Sequence, residues 1–462
     1  MNFFALIPLL LGAGCGSAPV PDPGPVIVLA SFDTTRVDSI SAYGGQDAHT
    51  PVVDGLSRRG VRFDWALSPL PTTLGSHTSM MSGMDTHGHG VPRNGAPVPV
   101  DVPLLAERLA DAGWDRIGVV GAMPLESDMG LDRGFRVYKD TEFGSWFGSP
   151  RRGADDVTAS VLKALDERPG GQPTFVFVHY YDPHSPWEAA PQEIRDRFVS
   201  PDFELDLKGR DGLSLFRNRA RAGKALKQAR VEQARKLYLA QVHWTDQQFG
   251  VLLDGLEARG LMKDSLIIMT ADHGEMLDET HLGQIYTHGP DVDLPVIRMP
   301  MVIAGKGKFA TPEGQVVERR VRLQDIANTI LNMAGLTADL GNGEDLATVW
   351  SGNAGPPPAH FAEATRSGLT KKRGKASPDE WPNLNFERTV VHDGAMLVRT
   401  PWKETSAKLY NVDAKQTPLD DEPRAALLDS SLRAWDATAP NEGVQEMDAE
   451  TEEALRQLGY LE

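Results

Sequence analysis

Two carboxylates and an imidazole stand where apolar, strand-like runs end. Asp33 opens Asp33-Thr34-Thr35-Arg36, shortly after Val26-Ile27-Val28-Leu29-Ala30. Far downstream, Asp272-His273-Gly274-Glu275 follows Leu266-Ile267-Ile268-Met269. Polar groups just past the carboxyl ends of strands line the functional crevice of an open α/β sheet. Asp33, Asp272 and His273 are therefore the candidate metal set. Carboxylate oxygens suit Ca²⁺, Mg²⁺ or Mn²⁺, and the added imidazole leans the set toward Mn²⁺ or Zn²⁺. Taken singly, Asp33 also reads as a helix N-cap, and Asp272-His273 as a surface loop. Between the two motifs, Thr72-Thr73-Leu74-Gly75-Ser76-His77-Thr78-Ser79-Met80-Met81-Ser82-Gly83 supplies a hydroxyl for the same place.

The elements that must position these groups alternate along the chain. Strand candidates are Val26–Ala30, Ile117–Val120, Phe175–Val178, Leu266–Met269 and Met301–Ala304. Helical patterns cover Leu104–Ala112, Asp155–Leu165, Ala234–Arg259 and Leu323–Ala334. Such alternation predicts an α/β fold: a large, mostly parallel sheet with helices on both faces. Gly352-Asn353-Ala354-Gly355-Pro356-Pro357-Pro358 marks a boundary. The division expected is a catalytic domain over 26–350 and a small C-terminal α+β subdomain with a final helix over 355–462. The basic stretch Arg217 to Lys236 reads as a solvated helix, or more sharply as a rim that attracts an anionic substrate.

At 462 residues the chain is long enough for one large domain plus a smaller one. Its formal charge of −17 argues against nucleic acid as a partner. It does not exclude an anionic ester, because a metal and local groups set the field inside a small site. The single cysteine, Cys15, excludes an intrachain disulfide. It follows an apolar stretch, Phe3 to Leu11, too short to span a bilayer. Leu11-Gly12-Ala13-Gly14-Cys15 resembles a bacterial lipoprotein cleavage site. That reading makes residues 1–14 a signal peptide, Cys15 the lipidated residue and 15–25 a proline-rich tether. The chain would then sit on a membrane of the bacterial envelope.

Six further segments stand in order with the two acidic motifs: Tyr43-Gly44, Thr50-Pro51, the threonine segment, His89-Gly90-Val91, His179-Tyr180-Tyr181-Asp182-Pro183-His184-Ser185-Pro186-Trp187 and His288-Gly289. Together they resemble the sulfatase family of the alkaline-phosphatase superfamily. The tail Asp448-Ala449-Glu450 to Tyr460 is similar to that family's C-terminus. The resemblance implies a metal-dependent hydrolase of sulfate or phosphate esters, acting on a small-molecule or glycan substrate. Thr73 falls where that family carries its formylglycine-forming residue, so Thr73 is implied as nucleophile and fourth group on the metal. Threonine cannot become formylglycine. Its competing readings are a plain N-cap or a role for Thr72 instead. His77 takes the place of the family's arginine. His184 and His288 match histidines that protonate the leaving group, and His77, Asn94 and His179 complete the implied substrate contacts. A sulfated threonine lacks the second hydroxyl that expels sulfate from a formylglycine hydrate. Phosphate esters, mono- or di-, are therefore the expected substrates. The alternatives are a transferase moving a phospho-substituent onto envelope glycan or lipid, and an inactive glycan-binding lipoprotein.

Overall fold

The computed structural model describes residues 23–140, 145–146, 149–150, 152–199, 224–277, 288–289, 291–364, 387–400, 407–413 and 415–440. Residues 1–22, with Cys15, and the tail from 441 lie outside them. The main-domain strands are β1 (Val26–Phe32), β2 (Val61–Leu67), β3 (Asp115–Val120), β4 (Val137–Lys139), a two-residue pair β5 (Ser145–Trp146) and β6 (Ser149–Pro150), β7 (Thr174–Tyr180), β8 (Ser265–Thr270), β9 (Arg298–Lys306), β10 (Gln315–Val317) and β11 (Val321–Arg322). All but β5 and β6 join one sheet, in the order β10-β2-β9-β8-β1-β7-β3-β4, with β11 also on β2.

β1 lies at the centre, parallel to both β7 and β8. These three strands are buried along their whole length, as strands covered on both faces must be. Alternate side chains divide between two cores, because successive strand residues point to opposite faces. Ile27 and Leu29 join Phe175, Phe177, Leu266, Ile268 and Leu74 on one side. Val26, Val28, Ala30 and Phe32 join Val176, Val178, Ile267 and residues of the long helix Lys224–Ala258 on the other. The helix Thr73–Ser82 covers the first face, and Ala154–Asp166 the second.

One strand departs from the parallel pattern. β9, expected from Met301–Ala304, runs antiparallel to β8 and β2. Parallel neighbours need a long crossover, usually a helix. Between β8 and β9 the described residues hold only the one-turn helix Leu294–Ile297, and β9 runs back along β8.

Gly352–Pro358 lies between the short helix Leu346–Trp350 and a second sheet. That sheet is antiparallel: β12 (His360–Ala364), β13 (Glu387–His392), β14 (Ala395–Arg399) and β15 (Lys408–Asn411). Ala362, Val391, Met396 and Val398 pack on Leu67, Met276 and Val296 of the main domain. Val390 and Leu397 pack on Leu428, Leu432 and Trp435 of the helix Glu422–Asp436. Each face thus has an apolar cover, and the sheet ties the C-terminal helix to the main domain.

Candidate active site and metal centre

The register of the central strands assembles the site. Ser31 pairs with His179 on β7 and with Thr270 on β8. Asp33, one residue past β1, donates its N–H to Tyr180 O at 2.9 Å. Asp272 follows β8 by two residues. By strand parity Ser31, His179 and Thr270 point to the same face as Leu29, Phe177 and Ile268, where the helix Thr73–Ser82 lies. The ligand atoms of Asp33, Asp272 and His273 come within 4.8 Å of one another, and all three residues are buried. A second set, His77, His179 and Asp272, meets the same limit.

Hydrogen bonds separate the two sets. Both ring nitrogens of His77 are taken: Nδ1 donates to Thr73 O at 2.7 Å, and Nε2 accepts from Ser31 Oγ at 2.9 Å. His179 donates from Nε2 to Asp33 Oδ2 at 3.1 Å. These rings hold the first residue of the helix and the first carboxylate. His273 instead donates Nδ1–H to Gly274 O at 2.9 Å, which aims the Nε2 lone pair into the site, 3.4 Å from Asp272 Oδ2. Asp272 Oδ1 accepts from His273 N at 2.8 Å and Thr34 N at 3.1 Å.

Asp33 Oδ1, Asp272 Oδ2, His273 Nε2 and Thr73 Oγ1 are without a hydrogen-bond partner, as are His179 Nδ1, Thr34 Oγ1, Thr72 Oγ1 and Asn94 Nδ2 around them. Buried polar atoms are rarely orphaned, and an ion is one explanation when they are. Two carboxylate oxygens, an imidazole nitrogen and a hydroxyl oxygen form a donor set that fits one divalent metal.

The electrostatics agree. Burial and the Asp272 charge push the Asp33 carboxyl well above its usual range. Burial works the same way on Asp272, but His273, His77 and His179 outweigh it and hold that carboxyl low. Burial likewise opposes a proton on His273, yet the charges of Asp272 and Asp33 raise its pKa. Without a cation the site must share protons to offset two buried carboxylates. Burial holds His77 at about 3 and His179 at about 4, so both rings are neutral.

Thr73 opens a ten-residue helix whose residues are all buried. Its hydroxyl lies near enough to Asp33 to favour that carboxylate, though it closes no hydrogen bond. Thr72 precedes the helix, makes no side-chain cap, and also keeps its hydroxyl unpartnered. Asn94 supplies a cap from outside, accepting Leu74 N–H on Oδ1 at 2.8 Å, while its Nδ2 has no partner. Gly75 is fixed by space: a Cβ there would stand 2.2 Å from Leu70 Cδ1 and 2.9 Å from Val91 O.

The two remaining histidines come together on the other side. His184 donates Nδ1–H to Ser185 O at 2.7 Å and stacks on Tyr181 with centroids 4.5 Å apart. His288 lies 5.0 Å from the His184 ring and 4.4 Å from the His273 ring. Its Nδ1 is 3.3 Å from each oxygen of Glu275, which is fully buried. Glu275 and Ser31 were not assigned from the sequence. Glu275 stood inside the acidic motif, so its position was a usable signal, whereas nothing near Ser31 marks it. Asp182, beside His184, accepts Ala154 N–H on Oδ1 at 3.1 Å and anchors the start of the helix Ala154–Asp166.

Comparison with known proteins places these features in a context. The Sulfatase family model matches residues 25–336, more than half of the chain. An N-acetylglucosamine-6-O-sulfatase of Bacteroides thetaiotaomicron is 22% identical over 329 residues, which is 55% of this chain and 59% of that protein. The chain therefore spans only about three-fifths of that relative's length. A solved structure in complex with its substrate D-glucosamine-2-N,6-O-disulfate superposes with a TM-score of 0.69 at 18% identity, covering 94% of this chain and 98% of the other. The phosphonate monoester hydrolase of Agrobacterium radiobacter gives a TM-score of 0.67 at 22% identity, covering 89% and 96%.

Proposed function

The chain belongs to the sulfatase family, and on that premise we propose that it is a metal-dependent ester hydrolase with Thr73 as nucleophile and phosphate esters, mono- or di-, as preferred substrates. The observation that carries this reading is the Thr73 hydroxyl. It is buried, unpartnered and beside Asp33 at the start of a helix. Asp33, Asp272, His273 and Thr73 would hold the cation. When bound, it supplies Lewis acidity, which lowers the hydroxyl pKa and offsets charge on the ester oxygens.

The chain's own groups do the rest. Thr73 Oγ, its proton already released to solvent, attacks phosphorus, and the bond to the leaving alkoxide breaks on the opposite side. His184 or His288, in the imidazolium form, gives its Nε2 proton to that alkoxide, because Nδ1 of each ring is engaged with Ser185 O or Glu275. A water then attacks the phosphothreonine, the same histidine accepts its proton, and phosphate leaves with the Thr73 oxygen freed. Glu275 holds the His288 ring through Nδ1. Asn94 holds the helix start at Leu74, and its unpartnered Nδ2–H would donate to the anionic substrate. His77 and His179, expected at first as substrate contacts, are assigned to holding Thr73 and Asp33. A sulfated threonine would need direct attack at sulfur, with no second hydroxyl to expel sulfate. This supports phosphorus over sulfur.

The names of the relatives give sulfated glucosamines and phosphonate monoesters as what they act on, and a glycan or small-molecule ester is the substrate class proposed. Acylation at Cys15 and residence on the bacterial envelope belong to the same proposal. No helix among the described residues is long and apolar enough to cross a membrane. Mass spectrometry of the membrane fraction should show a lipidated N-terminus at Cys15. For the chemistry, p-nitrophenyl phosphate, phosphodiester, phosphonate and sulfate esters should be turned over in the presence of each candidate metal. Acid-quenched enzyme should carry phosphate on Thr73. Faster sulfate-ester than phosphate-ester turnover would count against the reading.

A further inference from the structure

Thr34 is one of three non-glycine residues with positive φ, at 51°, among the described residues. For a β-branched residue this conformation is a genuine outlier. It is over-determined from both sides. Thr34 N donates to Asp272 Oδ1 at 3.1 Å, and Tyr238 Oη donates to Thr34 O at 2.9 Å while accepting from Arg36 N, also at 2.9 Å. Tyr238 comes from the long helix Lys224–Ala258 and is fully buried. Thr34 is itself fully buried, and its Oγ1 has no hydrogen-bond partner. A residue that follows Asp33 and touches Asp272 thus keeps a hydroxyl proton with no acceptor. Glycine would adopt this backbone without strain, so a threonine held here by two hydrogen bonds calls for a use for its side chain. Strain kept at a functional site is a recurrent sign of such use.

We propose that Thr34 is a substrate-contacting residue whose Oγ1–H donates to a non-bridging oxygen of the ester's phosphoryl or sulfuryl group. The assignment rests on the hydrolase reading above and deepens it. A hydroxyl donor suits this role better than metal ligation. The carboxylates already offer the cation charged oxygens, whereas an anion with several oxygens needs donors from neutral groups as well. The turn at Thr34 also sets Asp272 through its N–H, so one residue orders a carboxylate and reaches the substrate.

The experiment uses the full chain, metal-loaded, as wild type and as Thr34→Ser, Thr34→Val and Thr34→Gly. Orthophosphate binding is read by calorimetry, metal affinity by chelator competition, and Tm by thermal unfolding. Thr34→Val, of the same shape without the hydroxyl, should weaken orthophosphate binding about tenfold, as expected for a lost hydrogen bond to a charged acceptor. Thr34→Ser should stay within about threefold. Metal affinity should not change in either. Thr34→Gly should weaken orthophosphate binding as Thr34→Val does, yet raise Tm by roughly 2 °C as the strain is relieved. Unchanged orthophosphate binding in Thr34→Val would overturn the proposal. So would a tenfold loss of metal affinity, which would make Thr34 a ligand, or no orthophosphate binding by the wild type. If the wild type binds orthophosphate in a Thr34-dependent way but turns over no ester, the hydrolase reading falls and the anion contact stands.

Discussion

Asp33, Asp272 and His273 stand at the ends of two adjacent parallel strands, β1 and β8, whereas His184 and His288 stand on loops that leave β7 and β8. The first group is fixed by a buried sheet register, with backbone N–H groups on Asp272 and a histidine on Asp33. The second is fixed by ring stacking, one carbonyl and one buried glutamate. Strand ends inside a packed sheet tolerate little displacement, so they suit a cation whose ligands must hold a set geometry. Loop histidines suit a leaving group whose position varies with the substrate. Damage on the strand side should therefore abolish function, and damage on the loop side should depend on the substrate.

The largest effect expected is from Asp272→Ala. It removes a charged ligand and the acceptor for Thr34 N and His273 N. Bound metal should be lost and turnover should fall by about a thousandfold or more. Elemental analysis finding a full equivalent of metal in this variant would break the assignment. Thr73→Ala should reduce turnover of every ester on a similar scale, by about a thousandfold. Its metal content should persist, and its Tm should move by no more than about 2 °C. Retention of turnover would move the nucleophile to Thr72.

His288→Ala sharpens the contrast. It should slow alkyl phosphate hydrolysis by about a hundredfold and slow p-nitrophenyl phosphate much less, because p-nitrophenolate leaves without a proton. Glu275→Gln should follow the same pattern more weakly. Equal losses on both substrates would mean that His288 does not act on the leaving group.

Gly75→Ala tests the ground beneath the nucleophile. With Leu70 Cδ1 at 2.2 Å and Val91 O at 2.9 Å from the new Cβ, a loss of about 1–3 kcal/mol is expected, as for other overpacked sites. Denaturant unfolding measures it. The smallest effect near neutral pH concerns two histidines outside the metal set, His89 and His360. Burial holds both at about 3, below the usual 6.5, so the unfolded chain binds more protons than the folded one between those values. Their contribution to stability is complete above about pH 6.5 and is lost as pH falls toward 3, by at most about 1.4 kcal/mol per pH unit for each ring. Replacing His89 by Gln should flatten this slope, and an unchanged slope would show that His89 does not carry it.

Much of the fold was legible because a fully buried parallel strand has a distinctive run of apolar residues. β1, β3, β7 and β8 all contain the segments expected, and the helices Leu105–Asp111, Ala154–Asp166 and Asp325–Met333 fall within two residues of the patterns read. The direction of β9 was not legible, because an apolar run carries no sign of its orientation. Asp33, Asp272, His273 and Thr73 could be named since each sits beside a recognisable element. The positions of His77 and His179 relative to them could not.

The sequence by itself determined which residues could do chemistry and which strands would carry them, since residue type and local hydrophobic pattern are properties of short segments. Tertiary structure decided which of the five buried histidines and carboxylates bring unpartnered atoms together at the candidate metal site. His77 is tied through Nε2 to Ser31, 46 residues distant, and His179 through Nε2 to Asp33, 146 residues distant. Those separations are closed only by sheet register and helix packing, and whether a polar atom is satisfied or left for a ligand depends on the neighbours that this closure brings.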